Sequence, residues 1–161
     1  MLWRVPSLGK YWTAHKGPAN RLAFGELVRS GRASGVLAIR DGAAIGWCST
    51  GPRPDFQYLA RSRLIPTGGS EARWSVTCFF VEKSQRGNGV AGKLLQGAVA
   101  LAHSRHADAI EGYPVMSAAT RTPDVFAHTG VVRLFEAAGF KLVACAGSRS
   151  VYRLELQRNA A

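Results

Sequence analysis

A glycine-rich turn between an apolar strand and a helix holds the residues of this sequence best suited to chemistry. Residues 74–81 are apolar and rich in β-branched and aromatic types, which is typical of a strand buried on both faces. From Val90 onwards apolar residues recur with the period of an amphipathic helix. Between them, residues 82–89 include Gly87 and Gly89, which allow a tight turn and leave the backbone amides open to a ligand. The pattern therefore predicts an anion site at the helix N-terminus.

Two nucleotide-binding motifs overlap this turn. Gly87, Gly89 and Gly92 satisfy the dinucleotide fingerprint G-x-G-x-x-G, but five polar residues separate the strand from the first glycine. Residues 87–93 also fit G-x-x-x-x-G-K, but Leu94 follows where a nucleotide-binding loop needs Ser or Thr to hold magnesium. The sequence disfavours both interpretations. A glycine-rich loop that only connects the strand to the helix is a further alternative.

The same residues resemble the pyrophosphate loop of another class of enzyme. Residues 86–91, R-G-N-G-V-A, are similar to the Arg/Gln-x-x-Gly-x-Gly/Ala signature of the GNAT superfamily of N-acetyltransferases. Val81 stands where those proteins place a valine, five residues before the arginine. The resemblance continues through residues 111–114 (EGYP) as a strand end, and through residues 133–140 (RLFEAAGF) as a late helix and turn. It covers residues 20–156 in order.

This resemblance implies a fold and an activity. The expected fold is α/β, a GNAT-like mixed and mostly antiparallel sheet flanked by helices, in a single domain over residues 1–161. The expected activity is transfer of an acetyl group from acetyl-coenzyme A to a primary amine, with a small-molecule amine favoured over a protein amine. The alternatives are a non-catalytic protein that binds coenzyme A and a basic protein associated with nucleic acid.

The resemblance also implies coenzyme contacts. Backbone groups of residues 79–81 would align the pantetheine arm and polarise the thioester, and residues 86–91 would hold the pyrophosphate. His128 falls where many relatives have an asparagine that contacts the coenzyme. Phe135 falls where many have a tyrosine that acts as the acid, so the usual proton donor is absent. The predicted coenzyme-site residues are Phe79, Phe80, Val81, Arg86, Gly87, Asn88, Gly89, Val90, Ala91, His128 and Phe135.

Glu111 and Tyr113 are the predicted catalytic residues. They are two apart on a predicted strand, so their side chains share one face, and the resemblance places that strand beside the cleft for the thioester. A carboxylate partly removed from water there could serve as the general base, while the phenol protonates the departing thiolate. The alternative is that Glu111 pairs with a surface arginine and Tyr113 packs under the last helix.

The charge of the chain constrains its partners. Among 161 residues, 21 lysines and arginines stand against 10 aspartates and glutamates, which gives a formal net charge of +11. The electrostatic field of such a positively charged protein favours an anionic partner. The phosphates of coenzyme A would use a few of these charges, and a solvated surface accounts for others. Because the basic residues are scattered singly, without a run interleaved with aromatic residues, nucleic acid is not the predicted partner.

Cysteine and histidine spacing indicates neither a redox nor a metal site. Cys48, Cys78 and Cys145 lie far apart in apolar stretches without C-x-x-C spacing, so we expect buried free thiols. His103 and His106 have no neighbouring acidic or cysteine ligand, and no metal is predicted. The sequence contains neither a long apolar run nor a signal-peptide pattern, which predicts no membrane association and a cytoplasmic location.

The remaining patterns place the other elements. Asn20 is expected to cap a helix that Gly31 ends, and Asp41-Gly42 to form the type I′ turn of a hairpin. The predicted segments are hairpin strands at 36–40 and 44–49, a loop over 51–70 with a helical turn near 56–61, a strand at 107–113, a helix at 130–138, and strands at 141–146 and 150–156.

The N-terminal segment is short for the superfamily. Relatives usually begin with a strand and a helix before the helix predicted at 20–30, so these two elements are expected to be missing or reduced. Their loss would leave a sheet edge uncovered near residues 36–39. Uncovered apolar edges attract another strand, which predicts a homodimer or a bound N-terminal segment at this edge.

Overall fold

A computed structural model describes residues 2–4, 15, 17–61, 72–114, 129–146 and 149–156. In this part of the chain six strands form one sheet in the order β1-β2-β3-β4-β6-β5. The strands are β1 (Gly35–Arg40), β2 (Ala43–Pro52), β3 (Arg73–Val81), β4 (Ala109–Gly112), β5 (Lys141–Ala146) and β6 (Arg149–Glu155). The β3–β4 pair is parallel and the other four pairs are antiparallel. The predicted mixed, mostly antiparallel α/β sheet is confirmed.

Helices flank this sheet. They are α1 (Pro18–Arg29), α2 (Gln57–Arg61), α3 (Val90–Ser104) and α4 (Val132–Ala137), with a 3₁₀ turn at Leu2–Arg4. The helices predicted after the glycine turn, near 56–61 and within 130–138 are confirmed. No described helix has the length and apolar character needed to cross a membrane. The cytoplasmic location and the single-domain extent stay predictions.

Helix α1 ends as predicted but begins differently. Asn20 lies inside the helix, so its predicted role as N-cap is wrong; Gly17 precedes the helix and Pro18 opens it, because the fixed φ of proline suits a first helical residue. At the other end Gly31 has φ 71°. Its amide donates to Val28, and the next amide donates to the Leu27 carbonyl at 2.9 Å. This is the Schellman arrangement that ends a helix at glycine.

The predicted type I′ hairpin turn is confirmed. Asp41 and Gly42 have φ angles of 51° and 78°, and the residues on either side, Arg40 and Ala43, pair directly. Positive φ at both central positions matches the twist of the two strands. The turn therefore sets the register of β1 on β2.

The main core lies between the sheet and α3. The fully buried positions of α3 are Val90, Leu94, Leu95, Ala98 and Ala102, and all belong to the predicted apolar stripe. A Cβ atom on Gly46 of β2 would lie 3.1 Å from Leu94 Cδ1 and from Val90 Cγ1. A larger residue at position 46 would therefore push α3 away from the sheet.

A β-bulge in β3 interrupts the alternation of its side chains. Ser49 pairs with Cys78 and Thr50 with Val76, so Thr77 is an extra residue between them. In a strand without a bulge, Val76, Cys78 and Phe80 would share one face. Because an extra residue reverses the alternation, the later residues of β3 change sides.

The burial of the β3 side chains on either side of Thr77 shows the effect of this bulge. Trp74 and Val76, before the bulge, and Phe79 and Val81, after it, all pack in the core with α3. Phe80 consequently turns to the other face, where its side chain is 57% exposed. The prediction that β3 is buried on both faces is therefore wrong at its C-terminal end.

Strands β3 and β4 separate partway along β3. They pair from Arg73 opposite Ala109 to Val76 opposite Gly112. Strand β4 then ends, while β3 continues to Val81. We call the point where the two strands part the fork. Beyond the fork, the edge of β3 that β4 would otherwise occupy can receive a ligand.

A smaller core lies on the distal face of the sheet, the side opposite α3. Val151 faces this side because its neighbour Tyr152 belongs to the main core and side chains alternate along a strand. The buried residues of this core are Trp3, Phe56, Leu59, Tyr113 and Val151. The 3₁₀ turn at Leu2–Arg4 thus covers part of the distal face.

The cysteines differ in burial. All three are free thiols; Cys48 is buried, as expected, whereas Cys78 is only half-buried. Cys145 is exposed, so the prediction of burial is wrong for that residue. Cys145 lies on β5, the last strand in the sheet order, where fewer neighbours cover a side chain.

Candidate active site

A pocket of about 580 Å³ opens at the C-terminal end of β3 and the start of α3. It is lined by Phe79, Phe80, Val81, Gln85, Arg86, Gly87, Gly89, Val90, Ala91, Gly92, Gly130, Val131 and Leu134. Eight predicted coenzyme-site residues line this pocket. Asn88 belongs to the same loop without lining it, and His128 lies outside the described residues.

Hydrogen bonds at residues 82, 85 and 86 hold the loop between β3 and α3. The Arg86 Nε donates to the Val81 carbonyl at 3.2 Å, which closes the loop onto the end of β3. Arg40 Nη1 donates to Gln85 Oε1 at 2.6 Å, which links the loop to the end of β1. The Glu82 amide donates to the Ile45 carbonyl of β2. These contacts position the loop before any ligand is bound.

The N-terminus of α3 presents free amides to the pocket. Gly89 stands at the N-cap in the left-handed conformation, no side chain caps the helix, and its first turn contains no acidic residue. The first amide to use an intrahelical acceptor is that of Lys93, which donates to Gly89 at 3.2 Å. The amides before it have no acceptor inside the helix. Together with the helix dipole they attract an anion.

The glycines of this turn leave the space that an anion would fill. A Cβ atom placed on Gly87, Gly89 or Gly92 would meet no protein atom within 4 Å. Gly87 and Gly89 have φ angles of 82° and 73°, which explains glycine at those two positions. Gly92 is helical, where glycine costs about 1 kcal/mol relative to alanine, and no protein contact requires it. Open space beside free amides suits a pyrophosphate, so the loop fits the coenzyme expected from the sequence.

The far end of the pocket adjoins the fork. Residues 79–81 line the pocket from β3, and Gly130 and Leu134 line the opposite side. An exposed strand edge binds amide-containing chains through its backbone groups. The pantetheine arm of coenzyme A contains such amides, so the edge of β3 suits this part of the molecule.

Phe135 lies behind the pocket wall and does not line it. Its side chain is fully buried, and its ring packs 6.2 Å from that of Phe79 and 5.3 Å from that of Phe140. A Cβ atom on Gly112 would overlap this ring, so glycine is required there. Phe135 supports the wall next to the fork, and its direct contact with the coenzyme stays a prediction.

Glu111 lies at the centre of a buried charge cluster on the distal face. Its side chain is 1% exposed. Oε1 is 2.9 Å from Nη2 of Arg153 and 3.2 Å from Nη1 of Arg73, and Oε2 is 3.0 Å from Nη1 of Arg53. The predicted alternative was a single surface arginine; the structure shows three arginines around a buried carboxylate. Such charge-assisted bonds are what makes burial of the carboxylate tolerable.

Tyr113 joins this cluster through its hydroxyl group. The hydroxyl donates to Glu111 Oε2 at 3.1 Å and lies 2.8 Å from the Ser75 hydroxyl. Burial raises the pKa of Tyr113, and the charge of Glu111 raises it further. The ring stacks on Trp3, with centroids 6.1 Å apart. Tyr113 thus packs under the N-terminal turn and not under α4, the last described helix.

The structure brings the two predicted catalytic residues into contact but places them outside the walls of the pocket. Sequence reasoning missed their partners Ser75, Arg53, Arg73 and Arg153. Arg53 and Arg153 are 58 and 42 residues away from Glu111 in the chain, and no local pattern marks them. The catalytic roles of Glu111 and Tyr113 stay predictions.

Comparisons with known proteins agree with this site. The model of the acetyltransferase (GNAT) family matches residues 3–140. No curated protein matches the chain. Among solved structures, yncA from Salmonella typhimurium, whose structure contains its cofactor acetyl-CoA, is 18% identical, with a TM-score of 0.58 over 88% of this chain and 75% of that chain.

Two similar structures are enzymes with named acceptors. The ribosomal-protein-alanine N-acetyltransferase of Brucella melitensis is 16% identical, with a TM-score of 0.58 over 85% of this chain and 77% of that chain. The ribosomal-protein-S18-alanine N-acetyltransferase of Escherichia coli is 12% identical, with a TM-score of 0.57 over 91% and 83%. At these identities the structures show a shared fold. The family match over residues 3–140 shows that this chain belongs to the GNAT family and is an N-acetyltransferase whose acetyl donor is acetyl-CoA.

Proposed function

We propose that the enzyme transfers the acetyl group of acetyl-CoA to the primary amine of a small molecule. The observation that supports a small acceptor is the burial of the polar side chains near the fork. Ser49 is 5% exposed, and Ser75, Thr77 and Tyr113 are fully buried. Groups enclosed to this degree are closed to a protein surface, so an acceptor that uses them must be compact.

The chain can contribute to the chemistry in three ways. Acetyl-CoA supplies a thioester whose carbonyl carbon is open to attack by an amine. The loop and the first turn of α3 hold the phosphates, and the edge of β3 orients the arm that carries the acetyl group. The amine must lose a proton and the thiolate must gain one, so the site needs groups that move protons.

Glu111 and Tyr113 are our proposed proton-transfer groups. Tyr113 directly follows Gly112, the last residue of β4 that pairs with β3, so it lies at the fork. Its hydroxyl is the proposed donor to the thiolate, and Glu111 is the proposed base. To accept a proton, Glu111 would have to weaken its ion pairs with three arginines. The assignment of Glu111 as the base therefore requires a larger rearrangement of the site than the assignment of Tyr113 as the donor.

The test measures acetyl transfer with a panel of acceptors. Release of the coenzyme thiol is followed with purified protein, acetyl-CoA and either small primary amines or a peptide that begins with alanine. Binding of acetyl-CoA is measured in parallel by thermal shift, with NAD and ATP as control ligands; a ligand at a hundred times its dissociation constant adds about 2.7 kcal/mol of stability. We expect acetyl-CoA, but neither NAD nor ATP, to stabilise the protein. We also expect the enzyme to acetylate at least one small amine. Turnover confined to the peptide would contradict the small-molecule proposal.

We also propose that the enzyme forms a homodimer through β1. Within the described residues β1 is an edge strand that pairs only with β2. Leu37 and Ile39 of β1 are each 58% exposed. The described part of the N-terminal segment, Leu2–Arg4, packs against Tyr58 and Tyr113. An uncovered apolar edge is a docking surface for a second strand.

Light scattering tests the dimer. We expect a dimeric mass for the wild type and a monomeric mass for Ile39→Lys, because a charge opposes pairing at an apolar edge. Leu142→Lys is the matched control, since Leu142 is 48% exposed on β5 at the other end of the sheet order. A monomeric wild type, or equal effects of both substitutions, would contradict an interface at β1.

A further inference from the structure

Two aromatic side chains on the distal face form a surface that extends beyond the coenzyme pocket. Trp47 of β2 and Phe80 of β3 lie directly opposite each other in the register of the sheet. Such pairs have Cβ atoms about 5 Å apart, so the two side chains are neighbours. Phe24 of α1 packs against Trp47, with ring centroids 5.7 Å apart at 72°. We call Trp47 and Phe80, with Phe24 beside them, the aromatic patch.

The exposure of Phe80 is unusual for its position. It lies within a nine-residue strand, yet it is 57% exposed. The bulge at Thr77 is what directs it away from the core, because the extra residue reverses the alternation that would otherwise place it beside Val76. Phe80 is thus exposed beside the half-buried Trp47, and exposed large apolar side chains commonly mark a binding site.

Trp47 is held in place by its surroundings. A Cβ atom on Gly35 of β1 would lie 2.8 Å from Nε1 of Trp47, so the indole lies across β1 only because position 35 is glycine. Phe24 packs on it from α1. A ring fixed in this way loses little conformational freedom when it packs against a ligand.

The patch is continuous with the coenzyme pocket. Phe80 both belongs to the patch and lines the pocket. Towards the fork, the next cross-strand pair on the same face of the sheet is Ser49 with Cys78. Ser49 also accepts a hydrogen bond from Thr77 at 3.2 Å. An acceptor on this face would therefore have an apolar surface at one end and small polar groups towards the fork.

We propose that the acceptor amine is carried by an apolar ring that packs on Phe80 and Trp47. The patch spans two adjacent strands, about 5 Å apart, which matches one ring better than an extended chain. This inference rests on the proposed function, because it names the class of small amine that the site takes. It assigns Phe80 and Trp47 to acceptor specificity.

The test compares two amines in the same enzyme variants. The kcat/KM values for 2-phenylethylamine and for 2-aminoethanol are measured, and their ratio is the readout, so that a general effect on folding or coenzyme binding cancels. We expect the wild type to prefer 2-phenylethylamine by at least about tenfold, since apolar contacts of this size change kcat/KM by about tenfold to a hundredfold. We expect Phe80→Ser and Trp47→Ser each to reduce that ratio by about tenfold.

Leu142→Ala is the control, because it removes an exposed apolar side chain on β5, far from the patch in the sheet order. Its ratio should equal that of the wild type. An unchanged ratio in both Phe80→Ser and Trp47→Ser would overturn the proposal, as would a wild-type preference for 2-aminoethanol. Conversion of a dimer to a monomer by these two substitutions would also overturn it, because the patch would then be an interface.

The same measurements separate this inference from the proposed function. Turnover of polar small amines without the preference would reject the aromatic patch as the acceptor surface while the small-molecule proposal stands. Turnover of no small amine, with acetylation of the peptide, would reject both.

Discussion

Gly92→Leu is expected to weaken acetyl-CoA binding by about a hundredfold, equivalent to about 2.7 kcal/mol, while it stabilises the free protein. The new side chain would enter the open space beside the free amides of α3, where the phosphates are expected. Leucine is also a better helix former than glycine by about 0.8 kcal/mol, so the melting temperature without ligand should rise by roughly 2–3 °C. Calorimetry with acetyl-CoA and thermal unfolding measure the two effects.

The opposite signs of these effects make the test specific. Gln96→Leu is the control, since Gln96 is an exposed residue of the same helix that does not line the pocket; it should leave the affinity unchanged. Gly89→Val is less informative, because Gly89 has φ 73° and a β-branched residue would be strained there. The left-handed conformation of Gly89 therefore argues against an intact fold in that variant. Unchanged affinity in Gly92→Leu would show that the phosphates bind elsewhere.

Glu111→Gln is expected to destabilise the protein by about 3–5 kcal/mol, because it removes the charge of the buried carboxylate that contacts Arg53, Arg73 and Arg153. Chemical denaturation measures the loss. Glu155→Gln is the matched control: Glu155 is 74% exposed and lies 3.6 Å from Arg153, so its loss should cost less than about 1 kcal/mol. Equal losses in the two variants would contradict the cluster as a stabilising centre.

The same residue tests the catalytic assignment. If Glu111→Gln folds, we expect its turnover to fall by about a hundredfold with unchanged affinity for acetyl-CoA. Tyr113→Phe provides the test if it does not fold, because it removes one hydroxyl and keeps the ring that packs on Trp3. Its turnover should also fall by about a hundredfold if Tyr113 protonates the thiolate. Near wild-type turnover in Tyr113→Phe would remove it as the acid and leave positioning by the loop and β3 as the main contribution of the chain.

Local patterns in the sequence determined the coenzyme loop and most of the secondary structure. The glycines at 87 and 89 mark a backbone with positive φ, and the period of residues after Val90 marks a helix that packs on one side. The Asp41-Gly42 turn and the glycines at 31 and 139 that follow helices act within a few residues of themselves, so their effects are visible without the fold. The family resemblance then supplied the acetyl donor and the mixed, mostly antiparallel character of the sheet.

Only the tertiary structure decided how the distal face is built. The bulge at Thr77 depends on how β2 pairs with β3, and no residue type in β3 predicts it. It reverses the strand alternation and thereby exposes Phe80 beside Trp47. In the same way, Arg53 and Arg153 reach Glu111 from distant parts of the chain. Side-chain alternation and turn chemistry are local properties of a sequence, whereas register and long-range ion pairs exist only once the strands have assembled.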